Sequence, residues 1–211
     1  MELSAVPLLP ELRLYQAAPE TGLFDRGYRS DEPPPFWAFA WPGGVALARH
    51  ILDHPETVAG RRVLDLAAGS GVVALAASLA QAIRVRATDV DESAIEAIAR
   101  NAAVNGVTVE AERTDVLDGP VPDADVVLVG DGFYTAAMAG RMMRFLRLCA
   151  DAGRLVLVGD PDREFLPREH FTALAAYAVP VRPALESVRH LRTTIWRLDG
   201  RRAITARDIF D

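Results

Sequence analysis

Three aspartates stand where short apolar runs stop, and their spacing describes a binding edge that tolerates positive charge. Asp65 belongs to Arg62-Val63-Leu64-Asp65-Leu66, Asp89 closes the run Arg84 to Thr88, and Asp115 follows Val107 to Ala111. After Asp65 the chain reads Leu66-Ala67-Ala68-Gly69-Ser70-Gly71, with two glycines where backbone must turn tightly and let a ligand approach. The helix expected next offers free N–H groups at its start. Gly69-Ser70-Gly71-Val72-Val73-Ala74 also satisfies the glycine pattern of dinucleotide sites. Asp65 separates the two readings, because its carboxylate repels a pyrophosphate and attracts the ammonium of a methionine moiety. Asp89 is placed to accept hydrogen bonds from ribose hydroxyls and Asp115 to meet an adenine amino group. The trio therefore favours S-adenosylmethionine over NAD. Ala67, Gly69, Gly71, Val90 and Gly130 complete the expected cofactor-contacting set, whereas Asp91, before Glu92-Ser93-Ala94, reads as a helix N-cap.

A fourth apolar run ends in Val129-Gly130-Asp131-Gly132-Phe133-Tyr134. Asp131 suits a cationic or hydrogen-bonding methyl acceptor, or else caps the helix expected near Ala136. Tyr134 adds a hydroxyl or an aromatic wall, and Phe133 reads as packing. The aromatic run Phe36, Trp37, Phe39 and Trp41 either packs in the core or lies over the site as a lid. Asp160, ending a fifth run, fits substrate contact or a turn with Pro161. His50 and His54 share a helix face as zinc ligands do, but no third ligand follows nearby and no metal is expected. Arg189-His190-Leu191-Arg192 precedes a strand and reads as solvated surface.

These residues need a scaffold that brings strand ends to one edge. Residues 1–40 read as an irregular, proline- and aromatic-rich extension, and Pro42 opens a helix to about Leu52. Strands are expected at Arg62–Leu66, Arg84–Thr88, Val107–Ala111, Asp125–Gly130 and Arg154–Val158, with helices at Gly71–Ala82, Glu92–Val104 and Ala136–Ala150. A helix at His170–Tyr177 and strands at Val179–Arg182 and Thr193–Leu198 follow, and the tail from Gly200 has no clear pattern. Such alternation specifies an α/β, Rossmann-like, doubly wound, mostly parallel seven-stranded sheet, and the closeness of the last two strands makes an antiparallel edge. In open sheets of this kind ligands bind at the carboxyl ends of the strands.

Composition bounds the rest. Half of the 211 residues are apolar, enough for a single domain, 1–211, with 1–40 as part of an active-site cover and 41–199 as cofactor-binding core. A net charge of −6 excludes a broad nucleic-acid surface, and all 23 basic residues are arginine, so the chain offers no lysine of its own for modification. The single cysteine, Cys149, excludes a disulfide framework. The first residues do not read as a signal peptide and no stretch reaches a membrane span, so a cytoplasmic monomer is expected.

The segments Phe36-Trp37-Ala38-Phe39-Ala40-Trp41-Pro42-Gly43-Gly44, Leu64 to Gly71 and Gly130-Asp131-Gly132-Phe133-Tyr134 resemble those of the seven-β-strand protein methyltransferases. The closest likeness is the branch that methylates lysines of the electron transfer flavoprotein β subunit. Gly159-Asp160-Pro161-Asp162-Arg163 and Thr193-Thr194-Ile195-Trp196 share it, and it spans about residues 33–198. The resemblance implies a metal-free N-methyltransferase using S-adenosylmethionine, with Asp131 and Tyr134 at the acceptor and Trp41 near the cofactor. The departures are Gly132, where a larger apolar residue is common, and Thr135-Ala136-Ala137, which lacks acids. A nicotinamide-like small-molecule acceptor therefore stays as an alternative, and a non-catalytic cofactor- or partner-binding domain as another.

Overall fold

Val126-Val127-Leu128-Val129 is apolar at every position because both of its faces are covered, as a central strand of a parallel sheet requires. The computed structural model describes residues 1–18, 34–181 and 188–200. Seven strands form the main sheet: β3 (Arg62–Leu66), β4 (Arg84–Asp89), β5 (Glu110–Arg113), β6 (Val126–Gly130), β7 (Leu155–Asp160), β8 (Phe171–Pro180) and β9 (His190–Leu198). Their order is β5-β4-β3-β6-β7-β9-β8, parallel except where β9 pairs antiparallel with both β7 and β8. The helices are α1 (Pro42–Asp53), α2 (Val72–Leu79), α3 (Glu92–Asn105) and α4 (Ala136–Asp151).

Alternate side chains of the strands enter two cores. Val63, Val85, Ala87, Val126, Leu128 and Leu157 pack with α1, α2 and α3, while Leu64, Leu66, Val127, Val129, Val156 and Val158 pack with α4. Chain order reverses between β3 and β6, which opens a crevice at their carboxyl ends. Among the described residues no helix is long and apolar enough to cross a membrane.

Two expectations are corrected. The first residues are not irregular: β1 (Glu2–Val6) and β2 (Leu9–Gln16) form an antiparallel ribbon, with Leu9, Leu12 and Leu14 fully buried. Pro10 is tolerated because a two-stranded ribbon consists of edges only. The expected helix at 170–177 is strand β8, whose Ala173, Ala175, Ala176 and Ala178 pair along β9. Alanine favours helix locally, but pairing with a neighbouring strand overrides that preference. The strand expected at Val179–Arg182 is not a separate one: β8 runs on through Val179 to Pro180, and Arg182 lies outside the described residues, as do 19–33 and the tail 201–211. Smaller shifts bring α2 down to eight residues and start β5 at Glu110 instead of Val107.

Candidate active site

At the β3 tip the chain turns through two left-handed residues, Ala67 (φ 50°) and Gly69 (φ 52°), before Gly71 (φ 80°) caps α2. For Ala67 that backbone is strained, a cost that sites built for a ligand commonly carry. Asp65 is buried, and its Oδ2 accepts from the Ala74 amide at 3.0 Å. Burial pushes its carboxyl up to about 8, with Asp89 adding to the rise. Asp89, at the β4 tip, accepts the Gly69 amide on Oδ2 at 2.9 Å and the Asp91 amide on Oδ1 at 3.0 Å, tying the glycine loop to the neighbouring strand. Each carboxylate oxygen keeps a second lone pair for a ligand hydroxyl.

Asp115 accepts from the Leu117 amide at 3.2 Å and pairs with Arg141 of α4 at 2.9 Å. Asp91 caps α3 through the Ser93 amide, as read from sequence. Val90 stands between Asp89 and Asp91 with 61% of its surface exposed, an apolar plate at the cleft rim.

Across the crevice, Gly130 lets α1 approach β6: a Cβ there would lie 2.6 Å from Gly44 Cα. Asp131 follows with a left-handed backbone (φ 54°), and its amide donates to the Gly159 carbonyl at 3.0 Å. Its Oδ2 accepts the Gly44 amide at 3.0 Å, so it caps α1 and not the helix near Ala136, which Thr135 caps through the Met138 amide. Its Oδ1 accepts from Arg163 Nη2 at 3.1 Å. Burial raises the Asp131 carboxyl, against the pull of Arg163 and of the Gly44 and Gly43 amides. Asp160, fully buried, accepts the Arg163 amide at 2.7 Å, which is the turn role among its two expected ones. Burial pushes its carboxyl up to about 6.

Tyr134 is half-exposed and packs against Phe36 with ring centroids 5.5 Å apart. Trp41 donates its indole N–H to the Phe36 carbonyl at 2.8 Å and meets the Phe36 and Phe39 rings edge-on. The aromatic run packs and also lines the cleft. It packs with Ala17 and Ala38, and Phe36, Trp37, Phe39 and Trp41 all face the cleft. Phe133 is core, against Phe171. Gly132 is explained by crowding, since a Cβ there would run into Val129 and lie 3.1 Å from Met142 Cε. His50 is buried against Tyr177, whose hydroxyl lies 3.1 Å from its Nδ1.

One cleft of about 790 Å³ collects Trp41, Asp65, Ala67, Gly69, Asp89, Val90, Asp115, Gly130, Asp131 and Tyr134. Gly71 is absent from its wall: it turns the chain behind the loop, where a Cβ would meet Ile98 at 3.0 Å. Sequence reading missed Arg163, Arg141 and Asn101. Asn101 accepts the Tyr15 amide at 2.8 Å and donates to the Ser70 carbonyl at 2.9 Å, joining the ribbon to the glycine loop. Its place two residues after Ala99, on the α3 face with Ile98 and Ala102, was the available signal.

Volume and donor set fit S-adenosylmethionine: carboxylates at successive strand tips, an apolar plate at Val90, and a partly apolar mouth. The profile of the ribosomal protein L11 methyltransferase (PrmA) family matches residues 47–130. The electron transfer flavoprotein beta subunit lysine methyltransferase of Danio rerio is 36% identical over 202 residues, covering 93% of this chain and 75% of that one. Its Homo sapiens counterpart is 32% identical over 200 residues, covering 92% and 76%. Among solved structures, magnesium protoporphyrin IX methyltransferase from Synechocystis PCC 6803 with bound SAM superposes with a TM-score of 0.54 at 18% identity, over 74% of this chain and 80% of that one.

Proposed function

The chain belongs to the family of electron transfer flavoprotein β subunit lysine methyltransferases, and from that premise we propose that it methylates lysine side chains of a protein acceptor of that kind. It is an S-adenosylmethionine-dependent methyltransferase, and that cofactor would supply an electrophilic methyl group to the lone pair of the acceptor amine. The observation that carries the reading is the single cleft in which the acid-lined glycine loop meets Asp131 and Tyr134.

Within it, Asp65 would neutralise the methionine ammonium, Asp89 hold the ribose hydroxyls and Val90 pack on the adenine. Asp115 would meet the adenine edge, although its ion pair with Arg141 limits what it can offer. Phe36, Trp37 and Trp41 form a cover that keeps water from the reacting atoms. Asp131 and Tyr134 orient the acceptor nitrogen. Holding donor and acceptor together can supply roughly 7–11 kcal/mol of the barrier. A lysine must first lose its proton, which at pH 7 costs roughly 4.6 kcal/mol from its free pKa.

Methyl-labelled S-adenosylmethionine with purified electron transfer flavoprotein, followed by gel and peptide mass spectrometry, tests the reading. Label on a β-subunit lysine is expected. Label confined to small molecules would move the assignment to the small-molecule alternative, and no label despite cofactor binding would move it to the non-catalytic one.

A further inference from the structure

Asp131 is the side chain that an incoming lysine ammonium would seek, yet a cation already occupies one of its oxygens. Arg163 Nη2 sits 3.1 Å from Oδ1 while the Gly44 amide holds Oδ2. The backbone from which Arg163 projects is anchored, because the Arg163 amide donates to the buried Asp160 at 2.7 Å. Asp131 and Arg163 both face the cleft beside Tyr134. We propose that Arg163 is a positioning residue that cancels the charge of Asp131, so that the acceptor amine is held neutral instead of being trapped as an ammonium. The proposal rests on the lysine reading above.

The chemistry decides the sign. An ammonium has no lone pair and cannot attack a methyl group. A bare carboxylate beside the amine raises the amine's pKa by one unit or more. A carboxylate paired with a guanidinium has no net charge, but its remaining lone pairs still accept an N–H from a neutral amine and aim it. The other charged and polar groups near Asp131 are the same in wild type and in the Arg163 variants, so they set where the limb starts and not how far it moves. From α1 come the Gly43 and Gly44 amides, at the positive end of the helix, and from its own loop the Tyr134 hydroxyl, whose acidity burial weakens. From the end of β7 and the turn after it come Asp160 and Asp162; Asp160 ionises near pH 6 and is thus a constant negative charge across the range in which a lysine limb is read.

The test is the pH profile of kcat, at saturating cofactor and with the acceptor protein, for wild type, Arg163→Gln, Arg163→Lys and Asp131→Asn. In Arg163→Gln the acidic limb should move up by about one pH unit, lowering kcat at pH 7 roughly tenfold. KM for the acceptor should fall at the same time, because the ammonium now binds a bare carboxylate; loss of structure alone would not lower it. Arg163→Lys, which restores a cation, should bring the limb back. Asp131→Asn, which leaves the guanidinium unbalanced, should move the limb of its residual activity the other way. Affinity for S-adenosylhomocysteine reports whether each variant is folded, and the two opposed variants give independent readings. If the wild type methylates lysine and the limb stays put in either Arg163→Gln or Asp131→Asn, this role for Arg163 is wrong. If the wild type transfers no methyl to protein lysine, the lysine reading falls and takes the proposal with it.

Discussion

Asp65 carries the sharpest consequence at the scale of single residues. Its carboxyl holds a proton up to about 8 in the free protein, mainly because it is buried. A ligand ammonium placed beside it reverses the balance and favours the charged form. Binding of S-adenosylhomocysteine at pH 7 should therefore release up to about one proton. Calorimetry in two buffers of different ionisation enthalpy measures this, and Asp65→Asn should abolish the release and weaken binding at least tenfold. Equal proton counts in wild type and variant would remove Asp65 from the ammonium site. Asp131 is legible in the sequence as an acid at a strand end, but its pairing with Arg163, 32 positions later, is not. No local pattern announces which turn a neighbouring strand will bring alongside.

At the scale of elements, the part of the cleft around Asp131 depends on how closely α1 approaches β6 and β7. A Cβ on Gly43 would collide with the Gly159 carbonyl and lie 2.5 Å from Asp131 Oδ2. Backbone and a paired carboxylate cannot move aside cheaply, so Gly43→Ala should destabilise by about 1–3 kcal/mol and reduce methyl transfer. Gly60→Ala serves as comparison: its φ of 70° is strained for alanine but nothing lies within 4 Å, so only about 1 kcal/mol and no activity change are expected. Denaturant melts and initial rates separate the two. The ribbon is a second such dependency. Asn101 links Tyr15 to Ser70, and Asn105 exchanges hydrogen bonds with Arg13 at 3.0 and 2.7 Å. Asn101→Ala should cost about 1–3 kcal/mol and raise amide exchange across residues 9–16 and in the glycine loop together. Faster exchange in only one of them would show that Asn101 does not couple the two.

For the whole molecule, the buried acids set how stability responds to pH. The folded protein keeps protons on Asp160 and Asp65 up to about 6 and about 8, whereas an unfolded chain releases them near pH ~4. Raised carboxyls give stability that is complete below the unfolded value and is lost as pH rises through the folded one. Glu110 and Asp125, held down by Arg84 and Arg62, act in the opposite sense and lose their contribution as pH falls. These two are surface pairs and count for little. The melting temperature of the ligand-free protein should therefore decline from mildly acidic pH to pH ~8, and Asp65→Asn should flatten the upper part of that decline. A wild-type curve level across the range would mean that neither carboxyl is shifted in the folded state.

What the sequence alone determined was local: a parallel sheet from its alternating apolar runs, and the placing of Asp65, Asp89, the glycine loop, Asp131 and Tyr134 at strand ends that line one cleft. Each rests on residues within one strand and the turn that follows it. Tertiary structure decided the rest. It made the alanine-rich 171–180 segment a strand through pairing with β9, folded the first residues into a ribbon, and set Gly71 behind the loop instead of in the cleft wall. It also brought Arg163 and Gly44 to the two oxygens of Asp131. The reason is physical: propensity and spacing act over a few residues, while sheet order and helix approach choose partners tens of residues away.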